Sequence, residues 1–198
     1  MKKFARFIGI DDGYFVRNVH KKTKLIGAIT KHTILDGVLS REITIDGDDV
    51  SEKIIDMIKN SNHYYQIRGI ILYGITFAGF NIADVELIYK NLGLPIIIVM
   101  ERPPKDIFYK AIEKYKPNGI ELIKKAGPIY KTKTPFGYTY YQVYGIDKDT
   151  ASNIINNLAI VSKIPEPARV AHMIARGVTK GDSSKPRAGG DSNPGPAG

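Results

Sequence analysis

Cysteine and tryptophan are both absent from the 198-residue chain. Without a thiol there is no disulfide framework, no thiolate metal site and no cysteine nucleophile. Histidine is scarce: His20, His32, His63 and His172 show neither an HExxH motif nor any close paired spacing, which argues against a zinc centre. The GxSxG elbow of serine hydrolases is missing, as are the GxxxxGK[ST] and GxGxxG spacings of P-loops and dinucleotide folds. Long apolar runs are missing too. The longest, Pro95 to Met100, is far short of the roughly 20 apolar residues a bilayer-spanning helix needs. The run from Phe7 to Ile10, behind Lys2, Lys3 and Arg6, is too short for a signal-peptide core. These absences predict a cytoplasmic protein with no membrane partner.

Acidic residues are outnumbered, 20 Asp and Glu against 29 Lys and Arg, for a formal net charge of +9. From Gly181 onward Asp182 and Asp191 offset Lys185 and Arg187, so the excess belongs to the preceding part. Such a balance suits a polyanionic partner, nucleic acid (DNA or RNA) above all, and equally a lysine-rich solvated surface. The hydrophobic content of 43% is enough for one full core, expected over residues 1–180. The stretch GDSSKPRAGGDSNPGPAG, 181–198, has no large apolar residue and is expected to be disordered.

Apolar patterning predicts an α/β domain with a mixed sheet. Ala5–Ile10 reads as a strand buried on both faces, followed by β segments at Tyr14–Val19, Leu25–Thr33 and Leu39–Ile45. A helix is expected over SEKIIDMIKN, where Ile54, Ile55 and Ile58 share a face, with Asp49 or Ser51 as its cap and Glu52 completing a capping box. Strands RGIILYGI and PIIIVM then alternate with helices from about Asn81 to Asn91 and over KDIFYKAIEKY, the signature of right-handed βαβ units. A short helix GIELIKKA, β segments around IYKTKT and YTYYQVYGI, and helices over DTASNIINNLAIVS and PEPARVAHMIARG complete the order, the last ending at Gly177.

In open α/β sheets functional groups gather beyond the carboxyl ends of strands. Asp11 and Asp12 end the first strand, Asp46, Asp48 and Asp49 follow the third, and Tyr73-Gly74 ends the fourth. Hard Mg²⁺ or Mn²⁺ takes oxygen ligands, so convergent carboxylates could hold such an ion and activate water at a phosphodiester. The competing reading makes Asp12-Gly13 a turn and Asp49 a helix cap. Gly74 and Gly79 permit close backbone approach, a helix N-terminus near Asn81 could receive a phosphate, and Phe77 and Phe80 are either base-stacking or core residues. Asp84 is placed to cap its own helix. Arg169, His172 and Arg176 share a helical face, opposite Val170, Ala171 and Ile174, that could track a phosphate backbone.

Four stretches, FIGIDDGYF, TIDGDDVSEKI, LYGITFAGFNIADV and PEPARVAHMIARG, together resemble the archaeal family called domain of unknown function 99, itself similar to endonuclease V. The resemblance spans Phe4 to Thr179. It implies a ribonuclease-H-like mixed sheet of five or more strands flanked by helices, and Mg²⁺- or Mn²⁺-dependent cleavage of nucleic acid near deaminated bases. Gly9-Ile10-Asp11 matches the Gly-Val-Asp motif of the first metal carboxylate, which implies Asp11 as a ligand. Where that family has Val-Asp-Gly this chain has Leu72-Tyr73-Gly74, so Tyr73 stands in place of an aspartate. The family's glutamate has two counterparts, Arg41-Glu42 by local likeness and Asp46 or Asp49 by position before the helix. Glu101 stands where endonuclease V has a lysine, and Pro165 to Arg169 match its last helix start.

Three functions are consistent with this reading. The first is a metal-dependent endonuclease or phosphodiesterase with an altered cluster of Asp11, Asp12, Asp46 and Asp49, in which Asp11 and Asp49 hold the ion. The second is a non-catalytic nucleic-acid-binding protein. The third is a binder of a small phosphorylated ligand. In each, Tyr73, Gly74, Phe77, Gly79, Asn81, Arg169 and Arg176 are the expected ligand contacts.

Overall fold

A computed structural model describes residues 5–184. A mixed seven-stranded sheet runs in the order β3-β2-β1-β4-β7-β9-β8. In chain order its strands are β1 (Arg6–Asp12), β2 (Lys22–Lys31), β3 (Ile34–Thr44), β4 (Ile67–Tyr73), β7 (Ile96–Met100), β8 (Tyr130–Thr134) and β9 (Gly137–Tyr144). The first three are antiparallel, β1, β4 and β7 are parallel, and β9 and β8 close the far edge antiparallel. Two very short strands, β5 (Thr76–Phe77) and β6 (Asn81–Ile82), form a separate hairpin after β4.

Helices α1 (Val50–Lys59), α2 (Val85–Leu92), α3 (Asp106–Tyr115) and α4 (Gly119–Lys125) cover one face; α5 (Lys148–Leu158) and α6 (Glu166–Lys180) cover the other. Alternate residues of β1 show why its apolar run is continuous. Ile8 and Ile10 pack with Ile54, Ile58 and Ile88 on the first face, while Phe7 packs with Ile71, Ile97 and Ala168 on the second.

Helix α6 docks unusually close. It buries Ala168, Ala171 and Ala175, the last two against Ile26 and Ala28, and it meets β1 at a glycine. A Cβ on Gly9 would stand only 2.0 Å from the carbonyl carbon of Pro167. Small residues on both sides thus set the depth of the helix on the sheet.

Several expectations change. Tyr14–Val19 is not a strand: Asn18 takes a left-handed φ of 65°, and the Val16 amide donates to His20 Nδ1, folding the segment into a turn. Asp49 precedes α1 but makes no side-chain cap bond, and Ser51 Oγ accepts from the Asp84 amide rather than capping its own helix. Helix α2 starts at Val85, not Asn81, and Asp84 caps it by accepting from the Leu87 amide. Helix α6 runs past Gly177 to a left-handed Gly181. The tail expectation falls outside the described residues from 185 onward. Among the described residues no helix is long and apolar enough to cross a membrane.

Candidate functional site

The parallel arrangement brings the carboxyl ends of β1, β4 and β7 side by side, and with them Asp11 and Asp12, Tyr73, and Glu101 just past Met100. Asp11, only 6% exposed, points to the face covered by α6. There its Oδ2 lies 2.6 Å from His172 Nδ1, a contact between residues 161 positions apart. The edge of the Tyr73 ring stands against the same imidazole, centroids 5.2 Å apart. Tyr73 donates its hydroxyl to Glu101 Oε1 at 2.9 Å, and Lys163 donates to the Glu101 carbonyl. A cavity of about 270 Å³ opens here, lined among others by Tyr73, Glu101, Ser162, Arg169, His172 and Met173.

Asp12 turns to the opposite face, where its Oδ2 accepts from the Ala78 amide at 2.9 Å. The two aspartates nevertheless feel one another. Burial pushes the Asp11 carboxyl above the usual carboxylate range, opposed by the hydrogen bond and charge of His172. Burial followed by the charge of Asp11 pushes Asp12 up to about 7, opposed by the Ala78 amide. Two close carboxyls in a dry site cannot both ionise cheaply. Tyr73 is pushed above the ordinary phenol value by burial and then by Glu101, so it is a neutral donor at physiological pH.

This arrangement carries a pH signature for the metal-free protein. The folded Asp12 value lies above the 3.8 of the free side chain, so between the two the folded state holds the extra proton. The contribution of Asp12 to stability is therefore fully present below about pH 4 and is lost as pH rises through about 7, by at most about 4 kcal/mol. In chelator, Asp12→Asn is expected to raise the thermal midpoint more at pH 8 than at pH 5. Equal shifts at both values would contradict it.

The other acidic residues are engaged elsewhere. Asp49 accepts from the Thr44 amide, the Thr44 hydroxyl and Asn81 Nδ2, the last at 2.6 Å. Burial raises its pKa, but these bonds outweigh that and leave it lowered. Asp46, at a left-handed φ of 54°, accepts from the Phe80 amide at 2.8 Å and from Arg17. With Arg17, Phe80, Tyr115 and Lys116 it lines a separate cavity of about 440 Å³.

The glycine-rich segment divides similarly. Gly74 and Gly79 both have positive φ, 90° and 89°. A Cβ on Gly79 would lie 2.2 Å from Asp46 Oδ1, so the close approach its glycine permits is taken up within the chain. Beside Gly74 the nearest heavy atom to such a Cβ is 3.9 Å away. Phe77 and Asn81 are fully buried, and Asn81 bonds Thr44, Asp49 and the Val50 amide. Arg169 pairs with Glu166 through two nitrogens, at 2.8 and 2.6 Å. Arg176 lies one turn beyond His172, half-buried.

Among the described residues no three of histidine, aspartate and glutamate come together to hold a metal ion. Although their partners lie on opposite faces of β1, the carboxyls of Asp11 and Asp12 stay within hydrogen-bonding reach of each other at the strand end, and this adjacent pair is what the site offers. That donor set fits Mg²⁺, which is bound through one or two carboxylates completed by water and substrate phosphate rather than by a protein cage. The oxygens of Asp49 are committed to Thr44 and Asn81 and do not join them.

His172, Glu101 and Lys163 complete this site without having been singled out as its members from the sequence. The signal for Glu101 was its place directly after a buried strand. For His172 it was a shared helical face with Arg169, which suggested phosphate tracking and said nothing of Asp11.

Known proteins resemble this chain over most of its length. The UPF0215 protein of Methanosarcina barkeri is 42% identical over 187 residues, covering 92% of this chain and 95% of that protein. A protein of unknown function from Archaeoglobus fulgidus has a solved structure that matches with a TM-score of 0.78 and 32% identity, over 88% of this chain and 98% of that one. Endonuclease V of Ciona intestinalis, solved with DNA containing an inosine, matches with a TM-score of 0.62 over 91% and 88% of the two chains. At 12% identity that likeness establishes the fold, which is ribonuclease-H-like and endonuclease-V-like. The model of the family described as endonuclease dU matches residues 3–179, and this chain belongs to that family.

Proposed function

We propose that the protein is an endonuclease that cleaves a nucleic-acid backbone at Asp11, Asp12 and His172, with deoxyuridine as the nucleoside that marks the cut. The family description supports the reaction. The observation that carries the site is the 2.6 Å contact between Asp11 Oδ2 and His172 Nδ1 at the end of a buried strand. A carboxylate on Nδ1 fixes the tautomer and orientation of the ring. Nε2 is then left to move a proton, to the leaving oxygen or from the attacking water. Tyr73, a neutral donor that packs against the imidazole, holds the ring in place, and Arg169 and Arg176 on the same helix would meet a backbone phosphate.

A divalent ion, Mg²⁺ or Mn²⁺, would be held by Asp11 and Asp12 and would supply charge stabilisation at the phosphodiester. Its binding is readable without turnover: Mg²⁺ is expected to raise the thermal midpoint of the parent and not that of Asp11→Asn.

The decisive experiment incubates the full chain with oligonucleotides, DNA and RNA, carrying one deoxyuridine, one inosine or neither, with Mg²⁺ or Mn²⁺. A cut near deoxyuridine is expected, with the unmodified strand left intact. If no substrate is cut, the catalytic reading fails. One observation favours a second reading, a nucleic-acid-binding protein without cleavage: the end of β4 carries the phenol of Tyr73, and Asp46 and Asp49 are tied into the fold. Salt-sensitive binding of the same oligonucleotides with no cut would decide for it.

A further inference from the structure

The β8–β9 hairpin carries a second feature that the cleavage site does not use. Lys131 and Lys133 of β8 stand directly opposite Tyr140 and Tyr138 of β9. These four side chains share one face, because Thr132, Thr139 and Tyr141 alternate with them and are buried. The Lys131 ammonium sits 3.9 Å from the centre of the Tyr138 ring and 5.8 Å from that of Tyr140. Tyr138 is 48% exposed, and Phe136 at the turn is 47% exposed. From Gly127 to Ile146 the chain has no Asp or Glu.

The register says where this face lies. Tyr140 pairs with Met100, the last residue of β7, and β9 runs antiparallel to β7. The hairpin therefore continues past the end of the sheet that bears Asp11, Asp12 and Glu101, by roughly 10 Å from Tyr140 to Gly137. Its faces can be matched to those of β1. Tyr144 packs in the same core as Ile8 and Ile10, so Tyr138 and Tyr140, in step with Tyr144, are on the side to which Asp12 turns.

We propose that this hairpin is a binding arm for single-stranded nucleic acid, in which Phe136 and Tyr138 stack on unpaired bases while Lys131 and Lys133 meet the backbone phosphates. Flat exposed rings interleaved with cations are how sequence-tolerant single-strand surfaces work. Charge complementarity favours this occupant over a second copy of the chain. Lysines on an edge strand oppose edge-to-edge pairing, and another copy would bring the same positive face. The inference rests on the nuclease reading for its substrate class and adds where the strand flanking the cut is held.

The test measures fluorescence anisotropy of a labelled single-stranded DNA, and of its duplex, with the full chain in chelator, which suppresses metal-dependent cutting. Phe136→Ala/Tyr138→Ala is expected to weaken single-strand binding about 10- to 100-fold and duplex binding much less. Lys131→Gln/Lys133→Gln is expected to weaken both and to reduce the salt slope for single strands by about 1.4. Should the alanine pair lower the thermal midpoint, Tyr138→Leu, which keeps apolar bulk and removes the flat ring, must show the single-strand loss. Variants that bind as the parent does overturn the arm and leave the nuclease reading standing. A parent that neither binds nor cuts any oligonucleotide overturns both.

Discussion

Replacing Asp11 with asparagine is expected to leave a folded protein that no longer cuts. Cleavage should fall by about 10²- to 10⁴-fold, the range for losing a positioned proton-transfer system. The amide is nearly isosteric and can still accept from His172 through its oxygen, but it carries no negative charge with which to hold a cation. Stability should move the other way. Burial is the largest influence on Asp11 and leaves its pKa raised, so the ionised form is less favourable in the folded chain than in the unfolded one. At neutral pH in chelator the variant should therefore melt at or above the parent's midpoint, as functional sites that trade stability for chemistry do. Binding of an uncut oligonucleotide should be little changed. Assays of turnover, thermal midpoint and binding on one preparation separate the outcomes. A variant that cuts as well as the parent would remove Asp11 from the chemistry, and one that melts far lower would make its role structural.

Replacing Gly9 with alanine is expected to damage the fold and the site together. The new Cβ would lie 2.0 Å from the carbonyl carbon of Pro167, 2.1 Å from its oxygen and 2.2 Å from the Ala168 nitrogen. These are backbone atoms that cannot swing aside, so α6 must lift. Overpacking of this kind costs about 3 kcal/mol or more, which for a chain of this size lowers the thermal midpoint by about 6 to 12 °C. The lift also draws His172 away from Asp11, so cleavage per folded molecule should fall with it. Gly69→Ala is a useful contrast. There the nearest atom, 2.9 Å away, is on the Phe7 ring, which can shift, and a smaller loss is expected. A Gly9→Ala protein as stable as the parent would refute the close docking of α6.

Much of the architecture is readable along the chain because it rests on neighbours a few residues apart. The buried run of β1, the helical spacing of Ile54 and Ile58, the cap at Asp84 and the alternation that makes β4 and β7 parallel are all local patterns. They place Asp11, Asp12 and Tyr73 at the carboxyl ends of strands, and the parallel pairing of β1 with β4 brings those ends together. Tyr14–Val19 misleads for the same reason. Its residues favour a strand, but they remain mostly exposed with no neighbouring strand to pair with, and a turn held by His20 prevails.

Which side chains meet at that end is a different matter. Whether Asp49 faces a ligand or Asn81 depends on how the β5–β6 hairpin lies over the start of α1. Whether His172 tracks phosphates or holds Asp11 depends on how deeply α6 sinks onto β1. That depth is set jointly by Gly9, Ala168, Ala171 and Ala175, residues that carry no chemistry of their own. The amino-acid sequence by itself determined the order of most elements and the strand ends at which the candidate residues stand, since these follow from short-range periodicity. The tertiary structure alone decided that Asp11 pairs with His172 and that Asp46 and Asp49 are bound into the fold, because these contacts arise only when segments far apart in the chain are packed to a definite distance.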